Sequence, residues 1–161
     1  TFYGSAATET KSFVEPSYGN KLRKATPGNL VIATTAEDIE GVGKSVAWLG
    51  ETEAAVSGDA FIYAHTLDPL YVSYFFQSEH FHKQKLSKIT GTKVKRISGD
   101  SLAKILIPVP ALDVQKDIGF KLSNFDSLVG NLEFGLPAEI RTRRIQYEFY
   151  RDKLLTFKEI A

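Results

Sequence analysis

The sequence lacks cysteine and methionine altogether, and it has only three histidines and one tryptophan in 161 residues. Without cysteine the chain forms neither a disulfide framework nor a thiolate metal site, which suits a reducing cytoplasm. No apolar run approaches the roughly 18 residues of a membrane-spanning helix, and the N-terminus lacks the basic and apolar regions of a signal peptide. Because the chain does not begin with methionine, we expect a fragment or a trimmed chain.

Recognisable catalytic chemistry is also missing. The one histidine cluster is His80 and His82 beside Glu79, and side chains two residues apart on a helix point in different directions, so they do not share a metal. The sequence contains neither the G-x-S-x-G nucleophile elbow nor the Asn-Pro-Pro-aromatic motif of adenine methylases. We therefore predict a binding module with no catalytic residues, no metal and no cofactor of its own.

One stretch imitates a nucleotide-binding loop. Gly41-Val42-Gly43-Lys44-Ser45 matches the end of the P-loop pattern G-x-x-x-x-G-K-[ST]. Asp38 replaces the first glycine of that pattern, where its charge would repel a phosphate, and the residues after Ser45 favour a strand instead of the helix that a P-loop opens. We predict a polar loop that enters a strand. A nucleotide-binding enzyme remains a weaker hypothesis, behind the two functions considered below.

Opposite charges are concentrated in two separate stretches of a chain whose net charge is +1. Between residues 36 and 60, Lys44 is the single base among several acids. Between residues 81 and 104, Asp100 is the single acid. The bases there are Lys83, Lys85, Lys88, Lys93, Lys95, Arg96 and Lys104. A basic stretch of this kind fits an anion-binding face or a solvated surface, and charge alone leaves both open.

Up to residue 110 the sequence predicts short strands around one helix. The apolar fraction of the whole chain, 43%, can build the core of one domain. Asp68 before Pro69 predicts the N-cap and first turn of a helix that runs to about Lys85. We interpret the aromatic residues of this helix as core and not as a base-stacking platform. The predicted strands lie at 29–34, 46–49, 53–56, 60–64, 93–97 and 105–109.

From Leu112 onwards the pattern is helical. Apolar residues recur every three or four positions, which predicts one helix over 113–134, and Gly135 and Pro137 separate it from a second helix. The stripe of the first helix is Val114, Ile118, Leu122, Phe125, Val129 and Leu132, and that of the second includes Ile140, Tyr147, Leu154 and Phe157. Two helices of this length cannot bury both stripes on the β-rich part alone, so we expect a partner helix from this or another chain.

Thr90-Gly91-Thr92-Lys93-Val94-Lys95-Arg96-Ile97 precedes Ile105-Leu106-Ile107-Pro108-Val109-Pro110, and two tail segments follow at 135–140 and 144–157. These motifs resemble the specificity subunits of type I restriction–modification enzymes, and the tail segments resemble the end of that family's distal conserved helical region. Segments 27–34 and 57–60 are also similar. Ala111 departs from the family, which usually has a second proline there. The family's subunit has two recognition domains and two helical regions, so this chain resembles its C-terminal half.

This resemblance implies an α+β fold, with a target recognition domain at 1–110 and a helical spacer at 111–161. The recognition domain would bind one half of a split sequence in double-stranded DNA, in the cytoplasm of a prokaryote. The helices would bind methyltransferase subunits and, through them, restriction subunits. Methylation and cleavage would belong to those partners, which use S-adenosylmethionine and ATP. The alternative function is a scaffold or protein-interaction module with a basic face and no DNA specificity.

The resemblance also makes the basic stretch and the loop at 35–45 candidate DNA contacts. Gly91 and Thr92 would form a turn that presents a strand, on which Lys93 and Lys95 share one face. The acidic loop at 35–45 either contacts base edges or is uninvolved. The predicted contacts are Thr35, Lys44, Lys85, Lys88, Gly91, Thr92, Lys93, Lys95 and Arg96.

The family's two helical regions are thought to pack against each other, and this chain has only one. A second copy of the chain is the nearest substitute, so we predict a homodimer through residues 112–158 that suits a palindromic split target. The predicted dimer or partner interface consists of Val114, Ile118, Leu122, Phe125, Val129, Leu132, Tyr147 and Leu154.

Overall fold

The computed structural model describes residues 4–132 and 137–156 of the chain, with the side chains of residues 4–129 and 141–156. The predicted α+β class is confirmed, because short strands and helices occupy the chain up to residue 102 and two long helices follow. Within the described ranges, every helix is too short or too polar to cross a bilayer.

Eight strands and six helices lie in the described part of the chain. The strands are β1 (Ala6–Ala7), β2 (Arg23–Ala25), β3 (Leu30–Ala33), β4 (Thr35–Ala36), β5 (Ser45–Trp48), β6 (Ala54–Val56), β7 (Ala60–Tyr63) and β8 (Lys95–Arg96). The helices are α1 (Pro16–Gly19), α2 (Pro69–Phe75), α3 (Glu79–Leu86), α4 (Gly99–Leu102), α5 (Leu112–Leu132) and α6 (Pro137–Leu154). The first four predicted strands are confirmed within one or two residues, and both predicted long helices are present.

The main sheet has four strands in the order β1-β5-β3-β7. Strand β3 lies antiparallel between β5 and β7, and β1 pairs parallel with β5. Because side chains alternate along a strand, Leu30 and Ile32 point to one face, where both are buried in the main core. Two small ribbons, β2–β6 and β4–β8, flank this sheet, and β4–β8 carries the predicted DNA contacts Thr35, Lys95 and Arg96.

Helix α2 fills the centre of the core. Asp68 caps it as predicted, because its Oδ1 accepts a hydrogen bond from the Tyr71 backbone nitrogen at 2.8 Å. Tyr71, Tyr74 and Phe75 are at most 1% exposed, which confirms that they are core residues. The helix predicted to continue to Lys85 is instead two helices. The hydroxyl of Ser78 accepts from the Phe81 backbone nitrogen and so caps a new helix, α3.

Two of the predicted strands are wrong or shorter than expected. Segment 105–109 has no strand partner, because the Gln84 side chain takes that place. Its Nε2 donates to the Leu106 carbonyl and its Oε1 accepts from the Leu106 nitrogen, both at 2.9 Å. The Tyr71 hydroxyl donates to the Pro108 carbonyl in the same segment. Of the strand predicted at 93–97, only Lys95–Arg96 pairs.

Helix α5 packs closely on α2, with Gly119 at the contact. A Cβ atom at Gly119 would lie 3.0 Å from Leu70 Cβ and 3.2 Å from the Tyr71 nitrogen. Glycine therefore offsets its weak helix propensity by letting the two helices approach. Ile118 and Leu122 are buried on either side of this contact. The expectation that the stripe needs a partner helix is therefore met in part by α2 of the same chain.

Polar contacts also join α5 to the rest of the chain. The Asp126 carboxylate accepts from the Tyr74 hydroxyl at 2.7 Å and from the Ser5 hydroxyl at 3.1 Å. Burial raises the pKa of Tyr74, so its hydroxyl stays a proton donor. Leu155, beyond the end of α6, is buried in the same core as Leu122. The domain boundary at 110/111 stays a prediction, and one hydrophobic core joins its two sides.

Candidate nucleic-acid interface

Residues 90–96 form a closed loop, called here the basic loop. Thr90 and Arg96 exchange two backbone hydrogen bonds of 2.9 and 2.8 Å across its base. The same strand end, β8, pairs antiparallel with β4, so that Arg96 lies opposite Thr35. The Ile97 nitrogen then donates to the Thr34 carbonyl at 3.0 Å, and Ile97 is buried. The structure therefore brings Thr35 and Arg96 together. The sequence predicted both as DNA contacts but did not predict that they are neighbours.

Gly91 is essential to the shape of the basic loop. Its φ of +92° lies in the left-handed region, which residues with side chains rarely adopt. A Cβ atom there would lie 2.1 Å from the Val94 carbonyl oxygen, which is far inside van der Waals contact. The bend predicted at Gly91 and Thr92 is therefore present, although the strand after it begins only at Lys95.

The lysines of the basic loop have different roles in the structure. Lys95 folds back, because its Nζ donates to the carbonyls of Gly91 at 3.1 Å and Thr92 at 2.9 Å. The prediction that Lys93 and Lys95 share a strand face is wrong, because Lys93 lies before the strand. Lys93 and Arg96 are exposed, and neither side chain has an ion-pair partner in the described part of the chain. Lys88 is half-buried just before the loop.

Lys85 does not belong to the exposed basic set. Only 4% of the residue is accessible, and its Nζ donates to the carbonyls of Val42 at 2.7 Å and Glu40 at 3.3 Å. Its prediction as a DNA contact is therefore wrong in this structure, because the protein already surrounds the ammonium group. The charge run in the sequence gave no indication that one of its lysines would point inward.

Residues 37–44, called here the acidic loop, follow directly after β4. Glu37, Asp38 and Glu40 are exposed, as is Lys44 at the end of the loop. The Asp38 carboxylate accepts from the Gly41 backbone nitrogen at 2.5 Å, so it occupies a donor that a P-loop would offer to phosphate. Ser45 opens strand β5 and not a helix. The acidic loop is therefore not a P-loop, as the sequence predicted.

The structure places the predicted interface residues in two groups. Ile118 and Leu122 are buried inside the chain, and Tyr147 and Leu154 pack partly against the same core. The prediction that Ile118 and Leu122 lie in a dimer or partner interface is therefore wrong, because both pack inside the chain against α2. Val114 and Phe125 are each 40% exposed, Val129 is half-buried, and the side chain of Leu132 lies outside the described residues.

Large apolar side chains that the sequence analysis left out lie exposed on both long helices. They are Phe120 and Leu128 on α5, and Ile145, Phe149 and Tyr150 on α6. Helix periodicity pointed to the stripe that faces the core, and these residues lie outside that stripe. Phe149 and Tyr150 are in ring contact, with ring centroids 5.5 Å apart, and exposed apolar side chains that lie together mark a protein–protein contact more often than isolated ones do.

Within the described ranges, no group of three or more histidine, cysteine or acidic side chains is arranged to hold a metal ion. Glu79, the acidic neighbour of the histidine pair, forms an ion pair of 2.9 Å with Lys83 on the surface of α3. The exposed cations, the closed basic loop and the adjoining acidic loop together form the candidate site.

The chain belongs to the family of type I restriction–modification specificity proteins. The family model described as "Type I restriction modification DNA specificity domain" matches residues 60–142, just over half of the chain. The matched segment includes α2, α3, the basic loop and α5. The family resemblance found in the sequence is thus confirmed, as is the prediction of a specificity component and not a catalytic subunit.

Individual relatives are similar over parts of the chain. The specificity subunit of the type I restriction enzyme EcoR124I/EcoR124II from Escherichia coli is 41% identical over 73 residues, 45% of this chain and 18% of that protein. The MjaVIII specificity subunit from Methanocaldococcus jannaschii is 28% identical over 133 residues, 79% of this chain and 31% of that protein. The chain therefore spans less than a third of the length of these relatives.

A solved structure is also similar in part. The crystal structure of a type I restriction–modification S subunit from M. genitalium has a TM-score of 0.46 and 16% identity. The match covers 70% of this chain and 29% of that one.

Proposed function

We propose that the chain recognises one half of a split target sequence in double-stranded DNA, as part of a type I specificity subunit. Family membership supports the class of function. The observation that carries the proposal is the pairing of β4 with β8, which sets the exposed Arg96 beside Thr35 and next to the acidic loop. Cationic and hydrogen-bonding side chains thus share one edge of a folded scaffold, as a DNA-recognition surface requires.

The two loops would divide the work of recognition. Lys93 and Arg96 would contact phosphates, release counterions and set the register of the domain on the duplex. Thr35 and the carboxylates of Glu37 and Asp38 would contact base edges, because an acidic side chain can accept from the cytosine amino group in the major groove. Acidic side chains repel phosphate, so this loop would contribute to sequence selectivity more than to affinity. Lys44 would add a phosphate contact at the loop's end.

The helices would place the recognition domain within a larger complex. Methyltransferase subunits would dock on the helical region, and restriction subunits would join through them, in the cytoplasm of a prokaryotic cell. Methyl transfer with S-adenosylmethionine and cleavage with ATP would take place on those partners. The contribution of this chain would be the choice of DNA sequence.

Lys93→Ala is expected to weaken binding to all duplexes by about the same factor and to reduce the salt slope of log affinity by roughly one unit. The reason is the loss of one phosphate contact from an exposed lysine that has no protein partner. Fluorescence anisotropy with a labelled random-sequence duplex, repeated from low to physiological salt, measures both quantities. Lys121→Ala is the matched control, since that lysine is paired with Asp117 on α5, at 2.6 Å.

The same experiment separates the scaffold alternative from DNA recognition. A scaffold whose basic face meets acidic protein would bind duplexes weakly and would release them at physiological salt. An unchanged salt slope in Lys93→Ala would contradict the assignment of the basic loop to phosphate contact.

We also propose that two copies of the chain associate through the exposed apolar side chains of the long helices. Leu128 on α5 is 60% exposed and Phe149 on α6 is 61% exposed. A symmetric dimer would bury the same patch on both copies and would present two identical recognition domains. This patch replaces the buried residues Ile118 and Leu122 as the proposed contact surface.

Leu128→Asp combined with Phe149→Asp is expected to raise the dimer dissociation constant about 100-fold or more, because the new charges would have to be desolvated at the contact. Sedimentation velocity at tens of micromolar would show the variant as a monomer with an unchanged circular dichroism spectrum. Asn124→Asp with Gln146→Glu is the control, because it adds the same two charges at exposed polar positions. A wild-type chain that sediments as a monomer would contradict the dimer.

A further inference from the structure

A buried lysine on α3 holds the backbone of the acidic loop by hydrogen bonds. Lys85 lies in the last turn of α3, and its Nζ donates to the carbonyls of Val42 and Glu40. Val42 itself is fully buried in the main core. An ammonium group that donates to two loop carbonyls fixes the distance between the loop backbone and α3.

Close packing beside the ammonium group leaves the loop little freedom. Gly43 has a φ of +79°, and a Cβ atom there would lie 2.9 Å from the Phe81 ring, so the loop backbone rests directly on that ring. The Lys85 Nζ lies 5.6 Å from the centre of the same ring. The Gly43 nitrogen donates to the Ala33 carbonyl at 2.8 Å, which ties the end of the loop back to β3.

The acidic loop and the basic loop share one structural support. β4 pairs with β8 of the basic loop, and the acidic loop continues from β4 without a break. A displacement of residues 40–43 would therefore move Glu37 and Asp38 relative to Arg96. Neither Lys85 nor any other residue of α3 needs to contact a ligand for this coupling to operate.

We propose that Lys85 is a positioning residue for DNA recognition, which fixes the acidic loop in its binding conformation without contacting DNA. The proposal rests on the function proposed above. It assigns to Lys85 a role different from that of the exposed cations: its effect on affinity is exerted through the loop backbone and not through a phosphate.

The charge state of Lys85 supports a test by pH. The pKa of Lys85 is lowered to about 8, chiefly because burial disfavours the charged form; the charge of Glu40 raises this pKa, that of Lys44 lowers it and that of Asp38 raises it. The ammonium group is thus present below pH 8 and is increasingly lost above it. The neutral amine is a weaker hydrogen-bond donor to the two carbonyls than the ammonium group. The acidic loop is therefore expected to become more mobile as the pH rises from 7 to 9.

Lys85→Met tests the proposal, because methionine keeps an unbranched apolar stem and removes the ammonium group. Affinity for the duplex motif that the wild-type chain enriches from a randomised pool is expected to fall about tenfold at fixed salt with the salt slope unchanged, whereas Lys93→Ala reduces the slope. Wild-type affinity is expected to fall between pH 7 and 9, and that of Lys85→Met to stay level after subtraction of buffer effects. Unchanged affinity in Lys85→Met, or a reduced salt slope, would overturn the proposal.

Amide hydrogen exchange provides a readout that does not depend on DNA. The amides of Gly41 and Gly43 are expected to exchange faster in Lys85→Met than in the wild-type chain, while the amides of α2 stay protected. Equal exchange rates at Gly41 and Gly43 would show that Lys85 does not hold the loop and would overturn the proposal. If Lys85→Met fails to fold, a wild-type affinity that stays level from pH 7 to 9 would overturn it instead.

Failure of the proposed function would look different. The wild-type chain and all variants, including Lys93→Ala, would then fail to bind the duplex alike. Loss of affinity at an unchanged salt slope, in Lys85→Met and in the wild-type chain at high pH, is the outcome that supports the positioning role.

Discussion

Leu122→Ala is expected to lower the free energy of unfolding by about 2–5 kcal/mol. Leu122 has no accessible surface and lies in the main core with Tyr74 and Leu155. Truncation would remove its apolar contacts and leave a cavity that the close packing of α5 on α2 prevents from collapsing. Urea denaturation followed by circular dichroism measures the effect.

Phe125→Ala on the same helix is the matched control, because Phe125 is 40% exposed. Its loss is expected to cost about 1 kcal/mol or less in the monomer, as is usual for partly exposed positions. The comparison separates the two faces of α5: Leu122 stabilises the chain itself, and Phe125 faces outward. Equal losses in the two variants would contradict the assignment of Leu122 to the core. A charge at Leu122 would damage the fold and therefore cannot serve as a test of dimerisation.

Gly119→Leu is expected to destabilise the fold by about 3 kcal/mol or more, because overpacking and the loss of a helix cap would act together. A Cβ atom alone would lie 2.9 Å from Asp68 Oδ1, which caps α2, and 3.2 Å from the Tyr71 nitrogen. The gain in helix propensity, about 1 kcal/mol, is smaller than this cost. The same denaturation measurement, together with the sedimentation coefficient, would report the loss.

Asn124→Leu provides the control for Gly119→Leu, since it introduces the same side chain at an exposed position of α5. Its effect is expected to stay within about 0.5 kcal/mol, as for most surface substitutions. A wild-type stability in Gly119→Leu would mean that α5 does not approach α2 as closely as the structure has it.

Local patterns predicted those parts of the fold that depend on neighbours in sequence. Asp68 before Pro69 identified the start of α2, and the three- and four-residue spacing of apolar residues identified α5. The break between α2 and α3 was missed, because the apolar pattern continues through it while Ser78 caps a new helix. The segment at 105–109 was predicted as a strand on its composition, and only the structure shows that the Gln84 side chain takes the place of a neighbouring strand.

The candidate site was predicted in part for the same reason. The basic stretch and Gly91 stood out in the sequence, since charge and glycine have local effects. The pairing of Thr35 with Arg96 joins residues far apart in the chain, and it follows from the fold and not from any short motif. Lys85 was misassigned because a charge run does not reveal which side chains point inward. The exposed side chains Leu128 and Phe149 were missed because the search followed a single stripe.

Selection of bound duplexes from a randomised pool, followed by sequencing, tests the central claim most directly. The chain is expected to enrich one short motif, present in two inverted copies at a fixed spacing if the chain dimerises. Lys93→Ala is expected to enrich the same motif with lower yield, because it loses phosphate contact and not base recognition. Retention of DNA at low salt with no enriched motif would contradict sequence recognition and would favour a basic scaffold.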